Sequence, residues 1–418
     1  MERVHRRNLA LLVTGNSVST FGNAIYILAV ILILKELTES TFAIGVFQFV
    51  ALLPGVLLSP IVGSVIDRSS RRRIVVVADL ARGVLMVFAG AALAHDPLRS
   101  TGLVLTVAFL AGLGQTFFVP AVQAWLPSLV PARSLPRATS LRVASGQVGN
   151  LAGNALGGLM YVVLGAPALF VANGVTFVLS GLQERMITGG AEAPERNRDA
   201  RSGIRAVLAE AREGLRLGLS DRVIRLLIVS QAGLFAISPV LTLSLPFIVI
   251  DELAYSEAAV GYFLAIGLAG AVLVFFVLRR DPPESMLARR LVPLAYLGLG
   301  LGFLALAITT APVVLALVAL AAGGSAAVVY LYATTWIQLR VPAPLHGRLF
   351  ALLEAANAAV APVAYLCAGA LLAVAGADAR WMLFGAIGIA AVGWAAWTSS
   401  QLQRLARGSR REAGDKER

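Results

Sequence analysis

Cysteine and histidine are nearly absent from this chain of 418 residues, and acids are few. The single cysteine, Cys367, excludes an internal disulfide and any cysteine-based metal cluster. The three histidines, His5, His95 and His346, fall near the ends of apolar runs, which argues against a histidine metal site or a histidine relay inside a membrane. No G-x-x-x-x-G-K-S/T loop occurs, so nothing supports ATP hydrolysis, and no cofactor is expected. No convincing catalytic constellation is present either, and the chain reads as no enzyme. Charged residues make up 14%. A soluble domain has about a quarter. With 58% hydrophobic residues and a mean hydropathy of +0.80, the chain is too apolar to coat itself with water-facing groups. The class is an all-α integral membrane protein, since only helices satisfy their own backbone in lipid.

What charge there is leans one way, with 35 Lys and Arg against 23 acids. In a soluble chain that excess suggests nucleic acid. Here the arginines are sorted into particular loops, so no nucleic acid is expected. Twelve apolar runs are long enough to span a bilayer, at 9–34, 41–65, 74–94, 101–125, 137–164, 166–182, 223–246, 258–278, 291–309, 312–337, 348–375 and 381–399. Arg3, Arg6 and Arg7 before the first run resemble a secretion signal. That run is too long, however, contains Asn16 and Asn23, and has no prompt small-residue cleavage site, so it reads as the first span. With a cytoplasmic N-terminus, the outer loops hold only Lys35, Arg99 and Arg380. That bias places both termini in the cytoplasm and the chain in the plasma or inner cell membrane.

The chain divides into a first bundle (1–183), a cytoplasmic linker (184–221), a second bundle (222–400) and a basic cytoplasmic tail (401–418). In the linker, Ile204, Val207, Leu208, Ala211 and Leu215 recur at helical spacing, with Arg205, Arg212 and Arg216 on other faces. This pattern suits an amphipathic helix on the inner membrane surface. The halves echo each other. "WLPSLVPARSLPRATSL" from Trp125 and "WIQLRVPAPLHGRLFAL" from Trp336 align at an offset of 211, a register that also pairs Gly112 with Gly323. Gly45 and Phe47 match Gly261 and Phe263 at an offset of 216. A parallel repeat of six spans is a transporter architecture.

One knot of charge interrupts the apolar pattern. "GSVIDRSSRRR", Gly63 to Arg73, lies between spans two and three. It resembles the signature loop of the major facilitator superfamily. "STFGNAI", "LPGVLLSPIVGSVIDRSSRRRIVVVADLARG", "GNALGG" and "EGLRLGLSDRVIRLL" resemble the branch that includes macrolide and enterobactin exporters. The resemblance implies two pseudo-symmetric six-helix bundles and an inner gate containing Gly63, Asp67, Arg68, Arg71 and Arg72. It also implies that the loop docks near Gly347 and Arg348 at the start of span eleven. A carboxylate at a helix N-terminus gains ~0.3–1 kcal/mol when exposed. Asp67 and Arg71 then bias a two-state equilibrium, whereas the alternative has the arginines fix topology only. Asp79 and Arg82, one turn apart in span three, form a pair supporting the same gate. The second half reads "RRDPPESMLARR" at this place and has no such knot.

Polar residues in the spans outline a candidate cavity. Asn16, Ser19, Thr20 and Asn23 share a stripe in span one, and Gln231, Phe235, Ser238 and Thr242 share one in span seven. Gln115, Tyr330, Thr334 and Asn357 complete the expected lining. In span five, Gln147, Asn150 and Asn154 lie beside a stripe of Gly146, Gly149, Gly153 and Gly157. Helix–helix hydrogen bonding is the alternative use of such side chains. The span-five stretch resembles the antiporter motif of drug exporters, with Asn154 where proline is usual. Asn23 likewise stands where the family has an acid. Glu354 in span eleven is the candidate proton carrier, or else an ionic partner of Arg348 or Arg142. The expected partners are a small-molecule substrate, the proton gradient and the lipid bilayer, with the chain acting as a monomer. Export of a drug-like, antibiotic-like or siderophore-like compound by proton antiport is the leading expectation. Nutrient import on the same fold and a non-transporting sensor are the alternatives. Reporter fusions at both termini are expected to read out as cytoplasmic, and an odd number of mapped crossings refutes the arrangement.

Overall fold

The computed structural model describes residues 2–95, 100–131, 134–188, 216, 222–278, 286–340 and 343–416. These are helical almost throughout, with no strand among them. The first four helices are α1 (Glu2–Thr38), α2 (Thr41–Arg68), α3 (Arg71–His95) and α4 (Ser100–Leu129). The stretch Leu135–Arg185 is broken at Gly165 into α5 (135–164) and α6 (166–185). Next comes α7 (Arg222–Phe247), ending in a π-helical turn at Ile248–Glu252. It is followed by α8 (Glu257–Leu278), α9 (Met286–Leu306) and α10 (Pro312–Arg340). Ala343–Lys416 breaks at Gly376 into α11 (343–375) and α12 (377–416). The described residues thus form twelve helical rods, matching the twelve apolar runs.

Several helices outrun the apolar segments that announce them. α1 starts well before the first run, and α12 continues through most of the expected tail. α6 reaches Arg185, so Glu184, placed in the linker by hydropathy alone, is helical. The expected amphipathic helix of the linker lies outside the described residues, apart from Arg216.

Gly165 (φ 74°, ψ 168°) and Gly376 (φ 64°, ψ −175°) adopt backbone conformations open essentially to glycine alone. They stand 211 residues apart, in the register of the Trp125 and Trp336 repeat. The same chain reversal therefore occurs once in each half.

The chain forms two compact units. One comprises Met1–Leu208 with Leu243–Ala265 and Ala361–Ala370, and the other comprises the remaining residues. In the first unit, α1 packs along α5 and α6. The span-five glycines make that approach possible. A Cβ at Gly153 would lie 2.6 Å from Ala24 Cβ and 2.7 Å from the Phe21 carbonyl, and one at Gly149 would strike the Ser17 carbonyl. Gly83 and Gly174 face each other where α3 crosses α6. Between lipid-embedded helices, close backbone packing substitutes for hydrophobic drive. At the end of this unit away from the Arg71–Arg73 cluster, Lys35 pairs with Asp251 at 2.6 Å and the Thr41 hydroxyl donates to the Gly369 carbonyl at 3.1 Å. There Gly45 meets Gly369, and Gly261 meets Asn154 and Gly158.

In the second unit, Gly323 packs on the Gly267 carbonyl, as Gly112 packs on Ala51 in the first. Trp125 is fully buried with Leu12, Val75 and Phe118, and its repeat mate Trp336 packs on the small core of Ile224, Ile337 and Leu349. Large apolar side chains such as Val77, Phe88, Val163, Leu273 and Ile389 are exposed, as a lipid-facing surface requires. Gly153→Leu is expected to lower stability by about 1–3 kcal/mol through overpacking. Gly298→Ala, with open space around it, is expected to raise stability by up to about 1 kcal/mol through helix propensity. Thermal unfolding in detergent measures both.

Candidate functional site

The first unit buries charge as well as glycine. α3 is two-faced: Val77, Val84 and Phe88 lie on its exposed side, while Val75, Ala78, Asp79, Arg82, Gly83, Met86 and Gly90 are buried. The glycines draw α3 against α6. A Cβ on Gly90 would meet the Pro167 carbonyl at 2.6 Å, and one on Gly181 would meet Leu80 and the Asp79 side chain.

At this crossing Asp79 (0% exposed) forms an ion pair with Arg82 (5% exposed), one turn on. The Arg82 guanidinium also donates to Gln115 Oε1 on α4 and to the Ala78 carbonyl. It sits between the rings of Phe118 and Phe177, 4.6 and 4.3 Å from their centroids. Cation–π attraction there replaces part of the hydration that burial removes. Gly114 leaves room for the arginine stem, where a Cβ would come within 2.8 Å. α6 adds Glu184, 1% exposed, and Ser180, fully buried. Ser180 stands beside both carboxylates. Asp79 Oδ2, Glu184 Oε2, Ser180 Oγ and Gln183 Oε1 are all buried and complete no hydrogen bond. One guanidinium and two carboxylates are therefore buried at one crossing, where unpaired charge is expensive.

The arginines of the charged knot cap this end of the unit. Arg71 donates to the Ala124 carbonyl at 2.9 Å, and Arg72 donates to the Arg185 carbonyl, directly after Glu184. His5 Nδ1 lies 2.7 Å from the Leu129 carbonyl. Arg7 donates to the Thr188 hydroxyl, and the Asn8 amide to the Thr188 carbonyl at 2.6 Å. α1, α3, α4 and α6 are thus laced together around the cluster.

The remaining expected residues are dispersed. Asn16 Nδ2 donates to the Arg142 carbonyl at 3.1 Å and to Ser145 Oγ at 3.3 Å, so it ties α1 to α5. Ser19 is buried and donates to the Asn16 carbonyl, while Asn23 is half-buried. Asn154 donates to Asn150 at 3.0 Å, and Gln147 is exposed beside them on α5. In the second unit Gln231 is buried with Oε1 unpaired, and Phe235 and Ser238 are exposed. Thr242 and Thr334 donate to the Ser238 and Tyr330 carbonyls one turn back. Asn357 is buried with Oδ1 unpaired. For Gly63, Asp67, Arg68 and Glu354 only the helical backbone is described. No cluster of three or more metal-ligating side chains occurs among the described residues.

Sequence reasoning missed Glu184 and Gln183, because the apolar run ends just before them, and Ser180, a lone hydroxyl inside that run. Their signal was a glycine pair spaced seven residues apart on each helix, Gly83 with Gly90 on α3 and Gly174 with Gly181 on α6.

A family model described as Major Facilitator Superfamily matches residues 12–280, well over half the chain. The chain belongs to that superfamily. Its members are transporters rather than enzymes. The multidrug efflux pump Tap of Mycolicibacterium fortuitum is 28% identical over 393 residues, covering 91% of this chain and 93% of Tap. Macrolide efflux protein A of Streptococcus pyogenes is 28% identical over 152 residues. That match spans only 36% of each chain, so this chain aligns with about a third of the macrolide protein's length. Among solved structures, a bacterial homologue of the human lysosomal transporter Spinster superposes with a TM-score of 0.72 at 15% identity. It covers 97% of this chain and 98% of its own, and it carries the same fold. The charged knot of this superfamily member thus lies directly over a buried acid–base cluster. Arg82→Ala, which strands two buried carboxylates, is expected to destabilise the protein by about 3–5 kcal/mol, measured by chemical denaturation in detergent.

Proposed function

We propose that this chain exports a small drug-like, antibiotic-like or siderophore-like compound by alternating access, exchanging it for protons. The observation that carries the reading is the nearly end-to-end similarity to a multidrug efflux pump. The polar residues fit it. Asn23, Gln147, Asn150, Asn154, Gln231, Ser238 and Thr242 offer hydrogen bonds with little charge, which suits neutral or amphiphilic molecules with large apolar surfaces. Phe235 and Tyr330 add aromatic surface.

In this reading two six-helix halves, 1–183 and 222–400, rock about a shared cavity in the cell membrane, with both termini in the cytoplasm. Gly63, Asp67, Arg68, Arg71 and Arg72 form the inner latch. Breaking it shifts the population between two states without touching substrate. The chain works as a monomer, and acids in the spans carry the coupled proton.

Cells expressing the chain are expected to retain less macrolide or amphiphilic dye than cells without it. Collapsing the proton gradient is expected to abolish the difference. Higher retention in expressing cells shows import instead, and overturns this reading.

A further inference from the structure

The buried cluster holds more negative than positive charge, and the second half shows that the fold does not require it. The crossing of α3 over α6 at Gly83 and Gly174 has a counterpart where α9 crosses α12 at Gly300 and Gly388. Each of these glycines would place a Cβ 2.7–2.9 Å from its partner's carbonyl. Four residues before the crossing glycine, α3 carries Asp79 and α9 carries Tyr296. Six residues after it, α6 carries Ser180 and α12 carries Trp394; four further on stand Glu184 and Thr398. In the second half Tyr296 packs on Trp394 with centroids 6.2 Å apart and donates to the Ser230 carbonyl. Thr398, fully buried, donates to the Trp394 carbonyl at 2.9 Å. That crossing is closed by neutral groups. The first half keeps two acids and one base at the same place.

We propose that the Asp79 and Glu184 carboxylates, buried with the single Arg82 guanidinium, form the binding site for the transported proton. Arg82 bonds Asp79, which leaves Glu184 as the carrier. The proton adds to a Glu184 carboxylate oxygen to give a neutral carboxylic acid, and the cluster then balances one carboxylate against one guanidinium. Release restores the second carboxylate and the excess negative charge. Two acids in one dry site do not both ionise at neutral pH without a second cation. Asp79 and Arg82 face Glu184 from α3, and Ser180 and Gln183 lie on its own helix. α4 contributes Gln115 and Phe118. α1 contributes Gly15, where a Cβ would touch Gln183 and Ser180. The next charges are Arg71, Arg72 and Arg7, engaged at the rim with Ala124, Arg185 and Thr188. Arg72 caps the turn that bears Glu184, so movement of the knot is the natural control on proton entry. The inference deepens the export reading, because it names where the coupled proton sits.

The test is pH-difference infrared spectroscopy of the purified full chain in nanodiscs, read in the stretching region of protonated carboxyls. The wild type is expected to show a titrating band. Glu184→Gln and Asp79→Asn are each expected to remove it, and Glu354→Gln to keep it. Loss in Asp79→Asn is the discriminating result, since that variant keeps Glu184 and leaves it charge-balanced with Arg82. A band that survives Asp79→Asn, or one that Glu354→Gln removes, overturns the site. In vesicles, Glu184→Gln is expected to exchange a macrolide without a gradient and to lose accumulation driven by a pH gradient. Where the wild type accumulates the macrolide, equal accumulation by Glu184→Gln also overturns the site. If the wild type moves no compound yet the band behaves as stated, the export reading falls and the proton site stands.

Discussion

A bilayer gives helices no reason to stay together through apolar burial alone, because lipid tails are as apolar as leucine. What holds this protein together is the approach of backbones at small residues, and the other features follow from it. α1 lies on α5 because Gly149, Gly153 and Gly157 leave room for it, and α3 lies on α6 because Gly83 and Gly174 do. Only helices this close could bring Asp79, Arg82 and Glu184 into one buried site. The glycines that pack the bundle also set the spacing of the charges.

The two halves use one plan for different ends. Gly112 and Gly323 seat α4 on α2 and α10 on α8, each against a backbone carbonyl. Trp125 and Trp336 anchor apolar clusters in their respective halves. At the α3–α6 crossing and its counterpart the plan diverges, with charge in one and an aromatic stack in the other. A duplicated architecture thus buries charge at this crossing in one half only, in keeping with a charged knot that the second half does not repeat.

Most of the fold was legible in the sequence, because lipid imposes a length and an apolarity that few other constraints produce. The twelve rods and the superfamily could both be read from composition and motif. The pairing of Asp79 with Arg82 was visible too, since three residues make one helical turn. Glu184 was not. Hydropathy ends a helix where charge begins, so a buried acid in the last turn of α6 looks like the first residue of a linker. Asn16 illustrates the converse, because a polar stripe looks the same whether it faces a cavity or, as Asn16 does, a neighbouring helix. Burial depends on which helix lies opposite, and one sequence does not state that.

The two reversals at Gly165 and Gly376 join consecutive rods through one glycine each. Such a joint has no slack. When α5 or α11 leans, the next rod is dragged with it at once, so each hairpin travels as a single lever.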